Sequence, residues 1–280
     1  MIALEFSVIV PALNEETYIE SCLKSISRQT LPRNSYEIIV SDGGSNDRTV
    51  EIARKYADRV IVSTKSGIWW GRNQGANFAK GKYLVFIDAD TRIKEDYLEI
   101  VHEHLESGVV GLTAAYKIDR MGLKTKIFEY ISCCYLWLNS EFDNASLVGI
   151  NLCVPRAVFM KVGGFKDYAL EDAALGRELR KEGQTCFLMQ RMVVTSARRL
   201  EAYGAVGLCR YYFELGLIDG GNVCNRYISK YMKYQRYTPI RILDRPRAGG
   251  GKYENSKTLS TRIRGIEKKV LEWTGPRREA

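Results

Sequence analysis

The chain has 280 residues, of which 45% are apolar and 27% charged, so it can bury the core of one large globular domain. No apolar run approaches the length of a membrane-spanning helix, and the first residues lack the basic start of a signal peptide. The formal charge is +9, but residues 226–280 carry 15 Lys/Arg against 5 Asp/Glu, whereas residues 1–225 carry 27 against 28. This division predicts a near-neutral body and a cationic tail able to meet phosphates on a membrane or a nucleic acid.

Cysteine and histidine give no sign of a soft metal site. The seven cysteines are an odd number and include no Cys-x-x-Cys pair, which favours a reducing cytoplasm. His102 and His104 stand two residues apart on a predicted helix and face different ways, so we interpret them as surface or packing residues.

Apolar strands alternate with amphipathic helices along the first half of the chain. The predicted strands are residues 6–10, 37–41, 60–62 and 83–87, and the predicted helices are residues 19–26, 50–56 and 73–80. This alternation predicts a parallel sheet with helices on both faces.

Three polar loops follow these strands directly, at Pro11 to Glu15, Asp42 to Asp47 and Asp88 to Asp90. Ligands of such sheets bind beyond the carboxyl ends of the strands, so we expect the three loops to meet at one edge. The carboxylates of Asp88 and Asp90, one residue apart after a buried strand, can hold a divalent cation against a diphosphate.

The residue types in these loops match a nucleotide-sugar ligand. Asp42 can accept a hydrogen bond from a base, and Glu15 and Asp88 can hold ribose hydroxyls. Asp90 would coordinate Mg²⁺ or Mn²⁺, because such ions commonly take one or two carboxylates and complete their shell with phosphates and water.

Each motif also has a simpler interpretation. Asp88 and Asp90 could be a solvated strand end, and the segment from Asp42 to Ser45 could be a turn that caps the next helix. Glu15 and Glu16 could be acids of a first helical turn, which the helix dipole favours.

With these motifs the chain resembles the family-2 glycosyltransferases, over roughly residues 6–200. The resemblance rests on motifs in the family's order: Val8 to Glu16, Val40 to Asp47, Phe86 to Thr91, Gly163-Gly164-Phe165 and Glu171-Asp172. It implies an α/β protein of the GT-A fold, with a mostly parallel sheet flanked by helices. It also implies transfer of a sugar from a nucleotide diphosphate, with inversion and dependence on Mn²⁺ or Mg²⁺.

We expect a catalytic domain over residues 1–200, with a nucleotide-binding half to about residue 92 and an acceptor half from about residue 93. A helical, basic extension would follow over residues 201–280. Within the acceptor half, residues 147–154 and 192–196 have the pattern of strands, and a helix is expected to continue from Glu171.

The resemblance also implies roles for individual residues. Asp172 is the expected general base and Asp90 the metal ligand. The expected donor contacts are Pro11, Ala12, Glu15, Asp42, Arg72, Asp88 and Ala89, and weaker candidates on the acceptor or phosphate side are Gly164, Phe165, Glu171, Arg198 and Arg199. Alternatively, Glu171 and Asp172 are first-turn helix charges, and the arginines are solvated surface.

Two apolar or aromatic stripes lie outside these motifs. The first has helical spacing and is predicted to be a core face in preference to a lipid contact; its members are Ile127, Tyr130, Ile131, Cys134, Tyr135 and Leu138. The second runs beside a basic stripe in residues 226–237 and suits either a membrane interface or packing on the domain. Residues 245–251 are expected to be a flexible connection, and residues 263–273 a last short helix.

Together these features predict a cytoplasmic, peripherally membrane-associated glycosyltransferase with a lipid-linked or surface-glycan acceptor. A nucleotidyltransferase is one alternative, although no Gly-rich phosphate loop followed by Lys lies near the amino end. A nucleic-acid-binding protein is another, but it leaves the acidic loops unexplained. We therefore expect no specific nucleic-acid partner.

Overall fold

The structure, a computed structural model, describes residues 4–65, 67–120, 122–141, 147–167, 170–204 and 207. All of them belong to the first of the two units into which the chain divides, Met1–Tyr237 and Thr238–Ala280. The segments predicted at residues 226–237, 245–251 and 263–273 lie outside the described residues. The division of the catalytic domain into two halves, and its boundary at residue 200, stay predictions.

The described part of the chain contains eight strands, seven α-helices and a further helical segment at residues 198–204. The strands are β1 (Phe6–Ala12), β2 (Tyr36–Asp42), β3 (Arg59–Val62), β4 (Tyr83–Ile87), β5 (Thr91–Ile93), β6 (Gly111–Ile118), β7 (Asn151–Pro155) and β8 (Thr185–Thr195). The helices are α1 (Ile19–Ile26), α2 (Thr49–Ala53), α3 (Ile68–Phe78), α4 (Tyr97–Glu106), α5 (Leu123–Glu141), α6 (Arg156–Lys161) and α7 (Glu171–Glu182).

All eight strands form one sheet in the order β3-β2-β1-β4-β7-β6-β8-β5. The first four neighbours are parallel, as the strand and helix alternation predicts. Beyond β4 the sheet is mixed: β7 runs antiparallel to both β4 and β6, β8 is parallel to β6, and β5 is antiparallel to β8. The amino end of β7 and the carboxyl end of β4 therefore lie at the same edge of the sheet.

The core lies on both faces of the sheet, because alternate residues of each strand point to opposite sides. On one side Val8, Val85 and Ile87 pack with the apolar face of α1. On the other side Ile9 and Phe86 pack with residues from α3, α6 and α7. Burial of both faces explains why β4 is apolar at every position and completely buried.

Several element boundaries differ from the prediction. The helix expected at residues 73–80 begins earlier, at Ile68, and ends at Phe78. The strand expected from residue 147 begins only at Asn151, and β8 starts at Thr185, seven residues before the predicted segment. Residues 198–204 are helical.

The prediction that the apolar stripe of α5 is a core face is wrong. Ile127, Tyr130, Ile131, Tyr135 and Leu138 are all between 46% and 65% exposed. The helix instead packs on the sheet through a different face. Across the described ranges, no helix has both the length and the apolar composition that spanning a membrane requires.

Candidate active site

The loops after β1 and β2 are hydrogen-bonded to each other. The Asn14 amide donates to Ser45 Oγ (2.8 Å), and the Asn46 amide donates to Asn14 Oδ1 (2.8 Å). The next amide, of Glu15, donates to Thr49 Oγ1 (2.7 Å). Asn14 has φ of 53°, a conformation that Asn tolerates better than most residues. The two loops therefore form one unit at the carboxyl edge of the sheet.

Asp42 orders the second loop from within. Its Oδ1 accepts hydrogen bonds from the amides of Gly44 (2.9 Å) and Ser45 (2.8 Å), and its Oδ2 accepts one from Ser45 Oγ (2.5 Å). Gly44 has φ of +89°, where a side chain would be strained. The Asp42 side chain is completely buried, so the interpretation as a turn has direct support. Its contact with a nucleotide base stays a prediction.

Three small residues place backbone at this edge. Ala12 and Ala89 are 7% and 3% exposed, and the Ala12 carbonyl accepts a hydrogen bond from the Gly43 amide (2.8 Å). Pro11 packs so closely on Gly71 of α3 that a Cβ there would lie 3.4 Å from the Pro11 Cβ. These contacts hold the backbone of this edge in place. A donor contact by Pro11, Ala12 or Ala89 would depend on that backbone position.

Arg198 joins the first loop to the segment that follows β4. Its Nη1 and Nη2 donate to the two carboxylate oxygens of Glu15 at 3.0 and 3.2 Å, and Nη2 also donates to Asp90 Oδ2 (2.5 Å). Ser196 Oγ donates to the same oxygen of Asp90 (2.5 Å). The guanidinium lies 4.6 Å from the centre of the Tyr18 ring. One cation therefore neutralises two of the predicted site carboxylates.

The donor set around Asp90 fits a divalent cation that shares its shell with a ligand. The Asp90 side chain is 17% exposed, and its Oδ1 receives only a long hydrogen bond from Thr91 Oγ1 (3.4 Å). Within the described ranges, the one group of three close His, Cys, Asp or Glu ligands is Glu5, His102 and Glu106, at the opposite edge of the sheet. An ion at Asp90 would thus need oxygen atoms from a bound diphosphate and water, which is how Mg²⁺ is commonly held.

A second arginine, Arg72 of α3, lies at the centre of the site. Its Nη2 donates to Asp88 Oδ1 (2.8 Å) and to the Gly149 carbonyl (2.9 Å), and its Nη1 donates to Glu171 Oε1 (2.8 Å). The residue is 1% exposed, and its guanidinium lies 5.1 Å from the centre of the Phe165 ring. Arg72 therefore ties the segment after β4 to the start of α7. A direct donor contact by this arginine stays a prediction.

Gly149 has no assigned role in the sequence prediction, yet its backbone meets both sides of the site. Its carbonyl accepts from Arg72, and its amide donates to Asp172 Oδ2 (2.9 Å). A Cβ at this position would lie 2.6 Å from both terminal nitrogens of Arg72, so only glycine fits without movement. An isolated glycine within an apparent strand is the signal that could have revealed this close approach.

The buried carboxyl groups of the site have altered pKa values. Burial, together with the neighbouring charge of Asp172, raises the pKa of Glu171 to about 7, although Arg72 acts in the opposite direction. Burial also raises the pKa of Asp88, against the positive charges of Arg72 and Arg199. Arg199 itself is half-buried. The site thus places closely packed carboxyl groups around guanidinium groups that limit their repulsion.

Asp172 lies in the first turn of α7, where the helix dipole favours a carboxylate. Its Oδ1 accepts a hydrogen bond from the Ala173 amide (2.8 Å), and its Oδ2 accepts the one from Gly149. The side chain is only half-buried, so it can still meet a ligand. Both the structural interpretation and a catalytic one are compatible with this geometry.

Gly164 and Phe165 are held by Asn73 of α3. The Asn73 side chain donates to the Phe165 carbonyl (2.7 Å) and accepts from the Phe165 amide (2.9 Å). Gly164 has φ of +66°, and a Cβ there would lie 2.6 Å from Asn73 Oδ1. Phe165 is 2% exposed and packs edge-on against Phe86 at 5.0 Å between ring centres. These residues position the chain that leads to α7, and no contact of theirs points to a ligand.

The predicted acidic residues belong to two sets of polar contacts, one around Arg198 and one around Arg72, which meet at the segment after β4. Asp42 is linked through Ser45 to the first loop, whose Glu15 pairs with Arg198 and so with Asp90. Asp88, two residues before Asp90, is linked through Arg72 to Glu171 and its neighbour Asp172. The loops after β1, β2 and β4, the start of α7 and the segment after β8 therefore meet at one edge of the sheet, as expected for a single ligand site.

The fold and the site are those of an α/β protein with its ligand site at the carboxyl edge of an open sheet. The model of the family described as "Glycosyl transferase family 2" matches residues 7–153. The chain belongs to this family.

Two curated relatives match a shorter segment. Glycosyltransferase AglE of Haloferax volcanii is 36% identical over 99 residues, which cover 33% of this chain and 33% of that protein. A PGL/p-HBAD biosynthesis glycosyltransferase of Mycobacterium tuberculosis is 38% identical over 101 residues, covering 34% of this chain and 39% of that protein. The chain thus spans between a third and two fifths of the length of these relatives.

Two solved structures share the fold. TarS 1–349 of Staphylococcus aureus in complex with UDP-GlcNAc has a TM-score of 0.57 and 22% identity, covering 69% of this chain and 58% of that one. The mannosyltransferase PcManGT of Pyrobaculum calidifontis in complex with GDP-Man and Mn²⁺ has a TM-score of 0.56 and 21% identity, covering 75% and 64%. The expected GT-A fold, with helices flanking one sheet, is confirmed.

Proposed function

We propose that this chain is an inverting, metal-dependent glycosyltransferase that moves a sugar from a nucleotide diphosphate to an acceptor hydroxyl. The observation that carries the proposal is that two sets of contacts, around Arg198 and Arg72, bring Glu15, Asp88, Asp90 and Asp172 to one edge of the sheet. Family membership supports the reaction class. Proteins of the same fold bind UDP-GlcNAc in one case and GDP-Man with Mn²⁺ in another, so the proposal includes both UDP- and GDP-sugars as donors.

The nucleotide half of the donor would lie against the loops after β1 and β2. Glu15 and Asp88 would accept hydrogen bonds from ribose hydroxyls, and Asp42 orders the loop that would face the base. Asp90 would hold Mn²⁺ or Mg²⁺, which supplies Lewis-acid stabilisation of the charge that develops on the departing diphosphate. Arg198 and Arg199 are the nearby cations that could also meet the phosphates.

Asp172 would act as the general base. As the acceptor oxygen attacks the anomeric carbon, its proton passes to the Asp172 carboxylate and the bond from that carbon to the diphosphate oxygen breaks. Attack from the face opposite the leaving group inverts the anomeric configuration. The hydrogen bond from the Gly149 amide orients the carboxylate for this transfer, while its partial exposure leaves room for the acceptor.

For the acceptor we propose a lipid-linked or surface glycan in cell-envelope or glycoconjugate synthesis, modified at the cytoplasmic side of a membrane. Relatives support this class: one is described as a PGL/p-HBAD biosynthesis glycosyltransferase and another as a poly(ribitol-phosphate) β-N-acetylglucosaminyltransferase. The cysteines in the described part of the chain are free thiols, which agrees with a reducing compartment.

The test combines donor binding with two substitutions. In a thermal-shift screen of UDP- and GDP-sugars, the true donor at 100 times its dissociation constant should stabilise the protein by ~2.7 kcal/mol, and more strongly with Mn²⁺ than without it. Asp172→Asn should then lower the transfer rate by ~10²–10⁴, with the fold intact. Asp90→Asn should remove the effect of Mn²⁺ on donor binding.

The matched control is Asp167→Asn, because Asp167 is an exposed acid just before the same helix. It should leave transfer unchanged. Full transfer by Asp172→Asn would reject the base, and release of pyrophosphate from a nucleoside triphosphate would favour a nucleotidyltransferase instead.

A further inference from the structure

The exposed apolar side chains of the described residues concentrate on one helix. Eleven large hydrophobic side chains are exposed in this part of the chain, and seven of them belong to α5. They are Leu123, Ile127, Tyr130, Ile131, Tyr135, Trp137 and Leu138, with exposures from 38% to 75%. A contiguous apolar surface of this kind marks an interaction site more often than chance exposure does.

The helix is docked on the sheet through a narrow and partly polar face. Glu129 is 4% exposed and its Oε1 accepts a hydrogen bond from the Ile118 amide (2.5 Å) at the end of β6. One turn later Cys133, 2% exposed, packs with Ala115 and Phe187 of the sheet. An ordinary surface helix buries its apolar side and exposes its polar one. In α5 the apolar side points away from the sheet on which the helix packs.

The charges around this face fit an anionic partner. Glu129 is the only acidic residue between positions 122 and 140, and it is buried. Lys126 is exposed in the first turn of α5, and Lys117 is exposed one residue before Ile118, whose amide binds Glu129, with Asp119 as the one exposed acid of that strand end. If two copies of this face met, their lysines would repel each other. A surface of anionic lipids would instead attract these lysines.

The side chains themselves suit the depth of a lipid headgroup layer. Tyr130, Tyr135 and Trp137 combine an apolar ring with a polar tip, a combination enriched at membrane interfaces. With Ile127 and Ile131 between them, they form the apolar side of a helix that can lie in the plane of the bilayer surface.

We propose that the outward face of α5 is the membrane-contact surface of this protein and lies in the headgroup region of an anionic bilayer. The helix starts beside the candidate site: Ala197, next to Arg198, donates its amide to Asp119 Oδ1 (2.9 Å), four residues before α5. A bilayer against α5 would therefore lie next to the site edge, where a lipid-linked acceptor must arrive. This last step rests on the proposed function, whereas the membrane contact itself does not.

The test is flotation of the full chain with vesicles of phosphatidylcholine, alone or mixed with phosphatidylglycerol. The variant Ile127→Ser/Ile131→Ser/Tyr135→Ser should bind mixed vesicles about tenfold more weakly or worse, because it removes apolar area from the contact. The matched control Val62→Ser/Met160→Ser/Met189→Ser removes exposed apolar side chains from other elements. It should bind as the wild type does.

A second readout locates the contact on the helix. Brominated lipids quench tryptophan fluorescence only at short range, so quenching should be seen in the wild type and be largely lost in Trp137→Phe. Lys117→Gln/Lys126→Gln should reduce the preference for vesicles that contain phosphatidylglycerol.

Equal vesicle binding by the triple serine variant and the wild type would overturn the proposal and assign any binding to the basic residues after position 225. Loss of self-association by that variant, without a change in vesicle binding, would assign the face to a second copy of the chain. Hydrolysis of a nucleotide sugar in vesicle-free buffer tests the catalytic proposal separately. Hydrolysis without vesicle binding would reject only the proposed membrane contact. Vesicle binding without hydrolysis would reject only the proposed reaction.

Discussion

Two arginine clusters at the same edge of the sheet have different surroundings. The Arg72 side chain is 2% exposed and pairs with Asp88 and Glu171, both at 2.8 Å. The Arg198 side chain is 20% exposed and pairs with Glu15 and Asp90. A buried guanidinium cannot exchange its partners for water without a large desolvation penalty, whereas one at the rim can. Arg72 therefore holds the segment after β4 against the start of α7. We expect the more exposed contacts of Arg198 to be the ones that a ligand can replace.

Replacing the buried Arg72 should have the largest effect on stability. Arg72→Met leaves the charges of Asp88 and Glu171 close together without their cation, so we expect a loss of ~3–5 kcal/mol in the free energy of unfolding. Chemical denaturation measures this loss. The control is Arg120→Met, since the Arg120 and Glu201 side chains of that ion pair are more than half exposed, and it should change stability little. Equal stability of Arg72→Met and the wild type would show that the ion pairs of Arg72 do not stabilise the fold.

The buried cluster should also make stability depend on pH. Its member Glu171 has a pKa of about 7, raised from 4.5, so the folded form binds this proton more tightly than the unfolded chain does. The associated stability is complete below the unfolded pKa and is lost as pH rises through the folded value. The gain of Glu171→Gln over the wild type should therefore grow from nothing below the unfolded pKa to on the order of 3 kcal/mol above the folded one.

Denaturation curves at a series of pH values measure that slope. Glu178→Gln on the same helix is the control, because its hydrogen bond with Lys181 lowers the pKa of Glu178, the opposite direction. It should show no gain over this pH range. A pH-independent difference between Glu171→Gln and the wild type would mean that folding does not change the pKa of Glu171.

The two clusters also separate what sequence patterns can predict from what they cannot. The parallel half of the fold follows from local periodicity, and the loops after its strands follow from topology. The arginine partners do not, because Arg72 and Glu171 are 99 residues apart and Arg198 and Glu15 are 183 residues apart. No local pattern encodes which distant carboxylate a guanidinium will meet.

Helix α5 shows a second limit of prediction. Its periodicity correctly indicates a helix with an apolar face, but periodicity contains no information on what covers that face. The small and polar residues that actually dock the helix, among them Glu129 and Cys133, form the less conspicuous pattern. Hydrophobicity alone thus favoured the wrong side of the helix for the core.

The smallest effect on stability is expected from substitution of Arg198, the more exposed of the two arginines. Its main effect should be on metal binding. Arg198→Gln should cost less stability than Arg72→Met does, because Arg198 and Asp90 are 20% and 17% exposed and can recover water, although Glu15 is only 3% exposed. It also removes the cation that occupies Asp90 Oδ2, so nucleotide-free protein should bind Mn²⁺ roughly three- to tenfold more tightly, as measured by electron paramagnetic resonance of free Mn²⁺. Arg156→Gln, at an exposed arginine that begins α6, controls for the change in net charge. If both variants bind Mn²⁺ as the wild type does, Arg198 does not compete for Asp90, and the rim contact is as fixed as the buried one.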